Sequence, residues 1–210
     1  MNYELLTQFA DRYTTKEDAL LAEINAFTTH HHAHPHMLSG HVQGKLLKAF
    51  SYMMQPRRIL EIGTFTGYSA LCLAAGLTAD GLLHTIESRD TTARIAQEYF
   101  DRSEKKNNIR LHTGNALEII PGLNETWDLV FIDADKVSYI HYFDLVFPQV
   151  KKNGFILADN IFFHGEALAD NIKNKSAKAI KAFNEYINNR PDIEKVVLTV
   201  RDGLYLIRKL

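Results

Sequence analysis

The chain has little cysteine, no long apolar run and no excess of charge. Cys72 is the single cysteine of 210 residues, so no disulfide can form within the chain, which fits a reducing compartment. Inside the apolar run LCLAAGL it reads as inert core rather than as a reactive thiol. No apolar stretch approaches the length of a membrane span. The start, MNYELLTQFADRY, lacks a basic segment followed by an apolar one, so no signal peptide is read and a cytoplasmic protein is expected. Lys and Arg number 24 against 25 Asp and Glu, a net charge of −1. That balance argues against holding nucleic acid mainly through its phosphates, while leaving a local basic patch open. What remains is a chain with 46% hydrophobic and 23% charged residues, the mix of a globular protein long enough to bury one real core.

The first 36 residues read as helical and then irregular. Thr15 can cap a helix with Asp18 at its third position, and Ala19, Leu20, Ile24 and Phe27 give that helix an apolar side. Residues 30–41, HHHAHPHMLSGH, follow, with Pro35 disfavouring helix. In HVQGKLLKAFSYMM, Val42, Leu46, Leu47, Phe50, Met53 and Met54 recur at helical spacing, and Pro56 ends the pattern.

From residue 58 short apolar runs alternate with helical patterns. The runs are 58–62, 82–86, 109–113, 128–132 and 154–158, with helices expected near 68–76, 90–102, 115–120 and 137–147. This alternation predicts an α/β fold with βαβ units and a parallel sheet covered on both faces. After a last helix near 176–189, IEKVVLTVRDGLYLIRK reads as two strands around a tight Asp202-Gly203 turn, an antiparallel hairpin closing the sheet. One domain over 1–210 is expected, with N-terminal helices and a lid in 1–56 and the core in 57–210.

The first run opens into EIGTFTGYSA, with Glu61, Gly63 and Gly67 spaced E-x-G-x-x-x-G. Such a strand-to-helix loop exposes backbone N–H groups and uses glycine where the chain approaches a ligand closely. It carries neither the dinucleotide fingerprint nor the P-loop signature, and alone it could be an ordinary tight turn. The second run ends in Glu87, a carboxylate placed to take the two hydroxyls of a ribose, or simply a solvated strand end. Together they suggest a nucleoside ligand without phosphates.

The fourth run ends in FIDADK and the fifth in ILADN, which sets Asp133, Asp159 and Asn160 at the carboxyl ends of parallel strands. Two carboxylates and an amide oxygen are hard ligands, leaving about three positions open on an octahedral Mg²⁺. Lys136 stands three residues after Asp133, where a bound cation would lower its proton affinity and let it act as a general base. The plain alternative is a surface ion pair beside an ordinary turn.

With these residues the chain resembles the cation-dependent O-methyltransferases that use S-adenosylmethionine, among them the catechol and caffeoyl-CoA enzymes and small bacterial relatives. MLSGHVQG, ILEIGTFTGYSA, TIES, GNAL, FIDADK, ADN and RDGLYL carry the resemblance in order over almost the whole chain. It implies a Rossmann-like class I methyltransferase fold with a seven-stranded, mostly parallel sheet. It also implies a donor site of Met37, Ser39, Glu61, Gly63, Thr64, Phe65, Ser69, Glu87, Asn115, Ala116 and Asp133. Asp133, Asp159 and Asn160 would be ligands to Mg²⁺, or to another divalent ion such as Mn²⁺ or Ca²⁺, and Lys136 would be the catalytic base. The implied substrate is a small catechol, and the implied assembly a homodimer with no membrane partner.

Two departures stand out. DNIFFHG replaces the D-N-x-x-W of many relatives, so Phe163 takes the tryptophan's place, and SGHVQG leaves the role of His41 open. Met37, His36, Phe163 and His164 are the candidates for substrate contact. Three readings compete for the histidine tract: a loop facing water, a lid in which His34, His36 or His41 lines the substrate entrance, and a metal site. The last is the weakest, because the acidic set suits a hard cation better and Pro35 prevents a simple helical i,i+4 pair. Two rival functions use similar sequences. One is methylation of a hydroxylated uridine in transfer RNA, for which Lys151-Lys152 and KNKSAKAIKAF would supply basic surface. The other is a donor-binding module without turnover, which would have no need of a metal set.

Overall fold

The computed structural model describes residues 3–210. Among them are eight α-helices and seven strands. The strands are β1 (Arg58–Ile62), β2 (Leu82–Glu87), β3 (Ile109–Thr113), β4 (Trp127–Ile132), β5 (Val150–Asp159), β6 (Ile193–Leu198) and β7 (Leu204–Lys209). The helices are α1 (Tyr3–Tyr13), α2 (Ala19–His31), α3 (His41–Met54), α4 (Tyr68–Ala74), α5 (Asp90–Arg102), α6 (Ala116–Ile119), α7 (Tyr139–Val146) and α8 (Lys175–Asn188). The strand order is β3-β2-β1-β4-β5-β7-β6. All seven expected strands are present, and β5 starts four residues earlier than the apolar run suggested. Among the described residues no helix is long and apolar enough to cross a membrane.

The chain gathers into two compact units that interleave in sequence. The first runs to Arg57 and resumes over Thr64–Thr113. Here α2 buries Leu21, Ile24 and Thr28, three positions on one helical face. Its cap is Asp18, whose carboxylate accepts from Leu21 N at 3.1 Å. Thr15 therefore does not cap it; its carbonyl instead takes His41 Nε2 at 2.7 Å. His41 Nδ1 reaches Asp11 Oδ1 at 3.0 Å, so this ring ties α1 to the start of α3. α2 runs through His31, so the first two histidines of the tract are helical.

Close helix contact explains two glycines. A Cβ on Gly44 of α3 would stand 2.5 Å from Tyr68 Cε1, and one on Gly76 would stand 2.2 Å from the carbonyl carbon of Ser51. Beneath them β2 and β3 pair in parallel, from Leu83 opposite Ile109 to Glu87 opposite Thr113. His84 and His112 stack on this pair with centroids 5.2 Å apart and rings within 11° of parallel. His84 Nδ1 lies 3.0 Å from His112 Nε2.

The second unit comprises Arg58–Gly63 and Gly114–Leu210. β1 pairs with β4 (Ile62 opposite Ile132) and β4 with β5 (Ile132 opposite Ala158), both in parallel. β7 then runs antiparallel between β5 and β6. Trp127, Phe131, Tyr139, Phe143 and Phe183 are fully buried in this unit. The Trp127 indole N–H is satisfied by Gln149 Oε1 at 2.9 Å.

Asp202-Gly203 is not the tight two-residue turn expected from sequence. β6 ends at Leu198 and β7 begins at Leu204, so five residues connect them, closed by Gly203 N donating to Val200 O at 2.9 Å. The reason is tertiary. Ile161 N donates to Gly203 O at 3.2 Å and Phe162 N to Asp202 O at 3.0 Å, so the connection is paired with the loop that follows β5.

Burial first, and then the charge of Arg110, holds the His112 imidazole below its ordinary range. The unfolded chain therefore takes up this proton at higher pH than the folded one. The stability that follows is present above the unfolded pKa of about 6.5 and is lost as pH falls below it. Urea unfolding between about pH 7.5 and about pH 5.5 should show midpoints dropping with acidification. His112→Gln should flatten that slope, and an unchanged slope would dismiss the account.

Candidate active site

The glycine loop has its own backbone or side-chain anchors in each unit. In the second unit β1 and β4 end together, and Asp133 N donates to Ile62 O at 2.9 Å. Gly63, at φ +102°, presses so closely that an added Cβ would lie 2.0 Å from the Asp133 carbonyl oxygen. Only glycine meets both demands. Glu61, two residues earlier, is fully buried within β1.

In the first unit the rest of the loop is stapled to the end of β2. Thr64 N donates to Ile86 O at 3.1 Å, and the Thr64 and Thr85 hydroxyls meet at 2.5 Å. Phe65, at φ +50°, donates its N–H to Glu87 Oε2 at 2.8 Å. Glu87 is buried, and its other oxygen accepts from both Arg89 N and Arg89 Nε at 3.1 Å. Thr66 Oγ1 bonds Thr28 Oγ1 of α2 at 2.9 Å. Ser69 is buried in the first turn of α4.

Rings border this loop. Phe65 carries His32 edge-on at 4.5 Å between centroids, with the Arg89 guanidinium 5.6 Å from its ring centre. His32 Nδ1 accepts from His34 N at 3.1 Å. Its pKa is lowered, first by burial and then by the charges of Arg89 and His34. His34, His36 and Met37 are exposed, whereas Leu38 and Ser39 turn inward and are buried. His32, not one of the three histidines expected to form a lid, is the one on the loop.

The acidic cluster lies in the second unit. Asp133 follows β4 and Asp159 ends β5, one step beyond the register pair Ile132 and Ala158, so they share neighbouring strand ends. Lys136 Nζ donates to Asp133 Oδ1 at 2.8 Å and to the Tyr139 hydroxyl at 2.7 Å. The Tyr139 hydroxyl in turn donates to Asp159 O at 2.9 Å, with Ile132 O at 3.2 Å. This phenol is held well above its ordinary pKa, first by burial and then by the charges of Asp133 and Asp159, with Asp202 contributing. It stays protonated.

Asn160, in the left-handed region at φ +58°, gives its side-chain N–H to Asp202 Oδ2 at 3.2 Å. Its amide oxygen is therefore turned away from Asp202. Asp202 Oδ1 also accepts from His164 N at 2.6 Å. Phe163 is half-buried and the His164 ring is exposed. Phe162 lies over Gly203, where an added Cβ would meet its ring at 2.7 Å. Asn115 caps α6 by accepting from Leu117 N at 3.1 Å, with Ala116 buried behind it.

Among the described residues no group of three or more His, Cys, Asp and Glu is gathered to hold a metal. The donor set at the strand ends is two carboxylates and one amide. Tyr139, Asp202, Arg89 and His32 were not singled out from sequence for these contacts. Tyr139 could have been, since it continues the three-residue spacing from Asp133 through Lys136.

A sheet whose first strand feeds a glycine loop stapled to an acid at the next strand's tip defines a Rossmann-like nucleoside-binding protein. The chain belongs to the O-methyltransferase family, whose model matches residues 11–210. A catechol O-methyltransferase of Niastella koreensis is 31% identical over 187 residues, covering 87% of this chain and 84% of that protein. The O-methyltransferase TomG of Streptomyces achromogenes, solved with S-adenosylmethionine, is 28% identical with a TM-score of 0.90, covering 100% of this chain and 99% of that one. The S-adenosylhomocysteine-bound methyltransferase PaMTH1 of Podospora anserina is 26% identical with a TM-score of 0.91, covering 100% and 97%. The protein is thus an S-adenosylmethionine-dependent O-methyltransferase with the Rossmann-like methyltransferase fold.

The Gly63 contact makes a sharp demand. Gly63→Ala combines a disfavoured φ with a backbone clash, and should cost at least about 3 kcal/mol in urea unfolding. A loss below about 1 kcal/mol would mean that the two strand ends part easily.

Proposed function

We propose that the protein methylates one hydroxyl of a small vicinal diphenol in a reaction that depends on a divalent cation. The observation that carries this reading is the Lys136 amine, held 2.8 Å from Asp133 and 2.7 Å from Tyr139 where β4 ends, beside the strand that ends in Asp159 and is followed by Asn160. A relative named catechol O-methyltransferase, with 31% identity, supports the choice of substrate.

The residues present fit a hard cation. Asp133, Asp159 and Asn160 offer only oxygen, and the hold of Asp202 on the Asn160 amide leaves that oxygen available. Asp133, Asp159 and Asp202 all act on the Tyr139 phenol, against the one ammonium of Lys136 that touches it. Added positive charge would relieve that excess. Asp133, Asp159 and Asn160 would hold Mg²⁺, or Mn²⁺ or Ca²⁺ in its place. The ion would lower the pKa of a diphenol hydroxyl bound to it.

The chain's own residues do the rest. Glu87, fixed by Phe65 N and Arg89, takes the ribose hydroxyls of the donor, and the loop from Gly63 to Ser69 surrounds its methionine part. Lys136 receives the proton of the substrate hydroxyl. The oxygen's electron pair then attacks the methyl carbon in line, and the C–S pair returns to sulfur, which leaves as the thioether. Such a transfer draws most of its rate from positioning two bound reactants. Phe163 would pack on a substrate ring, with Met37, His36 and His164 as further candidates for contact.

The test is methyl transfer from labelled S-adenosylmethionine to a panel of catechols with Mg²⁺, with and without EDTA, beside undermodified transfer RNA. Catechol turnover that EDTA abolishes is expected. Turnover indifferent to EDTA, or labelling of RNA with no catechol product, would overturn the reading. Lys136→Ala should lower kcat by about 10²- to 10⁴-fold while leaving donor affinity within about twofold.

A further inference from the structure

The reading above gives Tyr139 no part in the reaction itself. Tyr139 is fully buried, and its hydroxyl sits at a junction of hydrogen bonds. It has one hydrogen, directed at Asp159 O (2.9 Å) with Ile132 O alongside (3.2 Å), so its lone pairs are left to accept from Lys136 Nζ at 2.7 Å. Lys136 Nζ also lies 4.9 Å from the centre of the Tyr139 ring, so the stem lies against the phenol. The Lys136 side chain keeps 14% of its surface, so the amine remains reachable.

The nitrogen at the end of a lysine has four tetrahedral directions. One is its own carbon, N–H bonds to two acceptors fix two more, and the fourth is left over. Here Asp133 Oδ1 and the Tyr139 hydroxyl are both acceptors and lie at hydrogen-bond distance from the same nitrogen. With both N–H bonds engaged, rotation about the last C–N bond is arrested and the fourth position on Nζ has a single direction. We infer that Tyr139 is a positioning residue that, with Asp133, aims this fourth position of Lys136 Nζ at the substrate hydroxyl. This rests on the reading of Lys136 as the base.

The balance of the step is simple. The substrate O–H bond breaks, its proton joins the Lys136 lone pair, and its electron pair stays on oxygen to attack the methyl carbon. The new ammonium keeps the same two acceptors, and its third N–H lies where the lone pair was. No side chain needs to reorient between the two states of the lysine. Asp133 alone would leave one N–H unanchored and the lone pair free to swing.

Four proteins test this: wild type, Tyr139→Phe, Lys136→Ala and the double variant. Tyr139→Phe keeps the ring and removes the hydroxyl, which is both the acceptor for Lys136 and the donor to Asp159 O. Its kcat should fall about 10- to 100-fold, the range that misplacing a reacting group costs, with KM for the catechol and donor affinity by calorimetry within about twofold. In the Lys136→Ala background the same change should cost less than about twofold, because nothing is left to aim. A loss of equal size in both backgrounds would show that Tyr139 acts through the Asp159 carbonyl and not through the lysine, and would overturn the inference. So would a Tyr139→Phe enzyme with kcat within about twofold of wild type. Full activity in Lys136→Ala would instead remove the base itself, and with it the earlier reading. Should Tyr139→Phe not fold, a crystal structure of the intact enzyme with donor and catechol bound decides. Lys136 Nζ within hydrogen-bond reach of the Tyr139 hydroxyl supports the inference, and a separation beyond about 4 Å overturns it.

Discussion

The approach of Gly63 to the carbonyl of Asp133 constrains much of what surrounds it. β1 and β4 are in parallel register up to Ile62 and Ile132, and Asp133 N closes the last rung on Ile62 O. At that point the chain leaves β1 through a glycine at φ +102°, with no room for a side chain. The loop that begins there and the carboxylate that ends β4 are thereby fixed to one another at backbone level. Side-chain bonds can adapt by rotamer, but a backbone contact of this kind cannot. The placement of Asp133 and the exit of the chain from β1 through Gly63 are one constraint.

Around Asp133 the polar groups are satisfied in a chain. Lys136 reaches Asp133 and Tyr139, Tyr139 reaches the main chain of Asp159, and Asn160 reaches Asp202. Each link leaves the next with its orientation decided. Burying charge is expensive unless it is paired and hydrogen-bonded, and the Lys136–Asp133 pair is shielded to 14% and 19% exposure of its side chains. Breaking one member leaves a partly buried charge without its partner. Such a network specifies geometry more than it adds stability, which suits a site whose rate comes from positioning.

The order of elements was legible from sequence because it depends on local pattern. Apolar runs between turn residues mark β1 to β5, and the paired carboxylates are visible because each follows its strand directly. The contacts that complete the site are tertiary. Asp202 looked like a turn residue, since Asp-Gly favours turns, yet its carboxylate serves Asn160 and His164 across 42 and 38 residues of chain. Thr15 and Asp18 are both good caps. The helix starts at Ala19, so Asp18 caps it, while the Thr15 carbonyl meets His41 26 residues away, a contact no local pattern records. Arg89 lies two residues from Glu87, too close for any periodicity to show that both its N–H groups return to that carboxylate.

The histidine tract illustrates how composition misleads when spacing is ignored. His30 and His31 belong to the last turn of α2, His41 is engaged with Asp11 and Thr15, and His34 and His36 face outward. Only His32 of this tract joins the glycine loop, edge-on to Phe65. Its neighbours there are an aromatic ring and a guanidinium, and its Nδ1 is taken by the His34 amide. A ring so placed is held neutral, because burial and the Arg89 charge both oppose its protonation. It therefore presents to the loop an apolar edge and, through the N–H that a neutral ring keeps on Nε2, a single donor. With Nδ1 taken and protonation opposed, the ring is poorly suited to be a cationic lure for an acidic substrate.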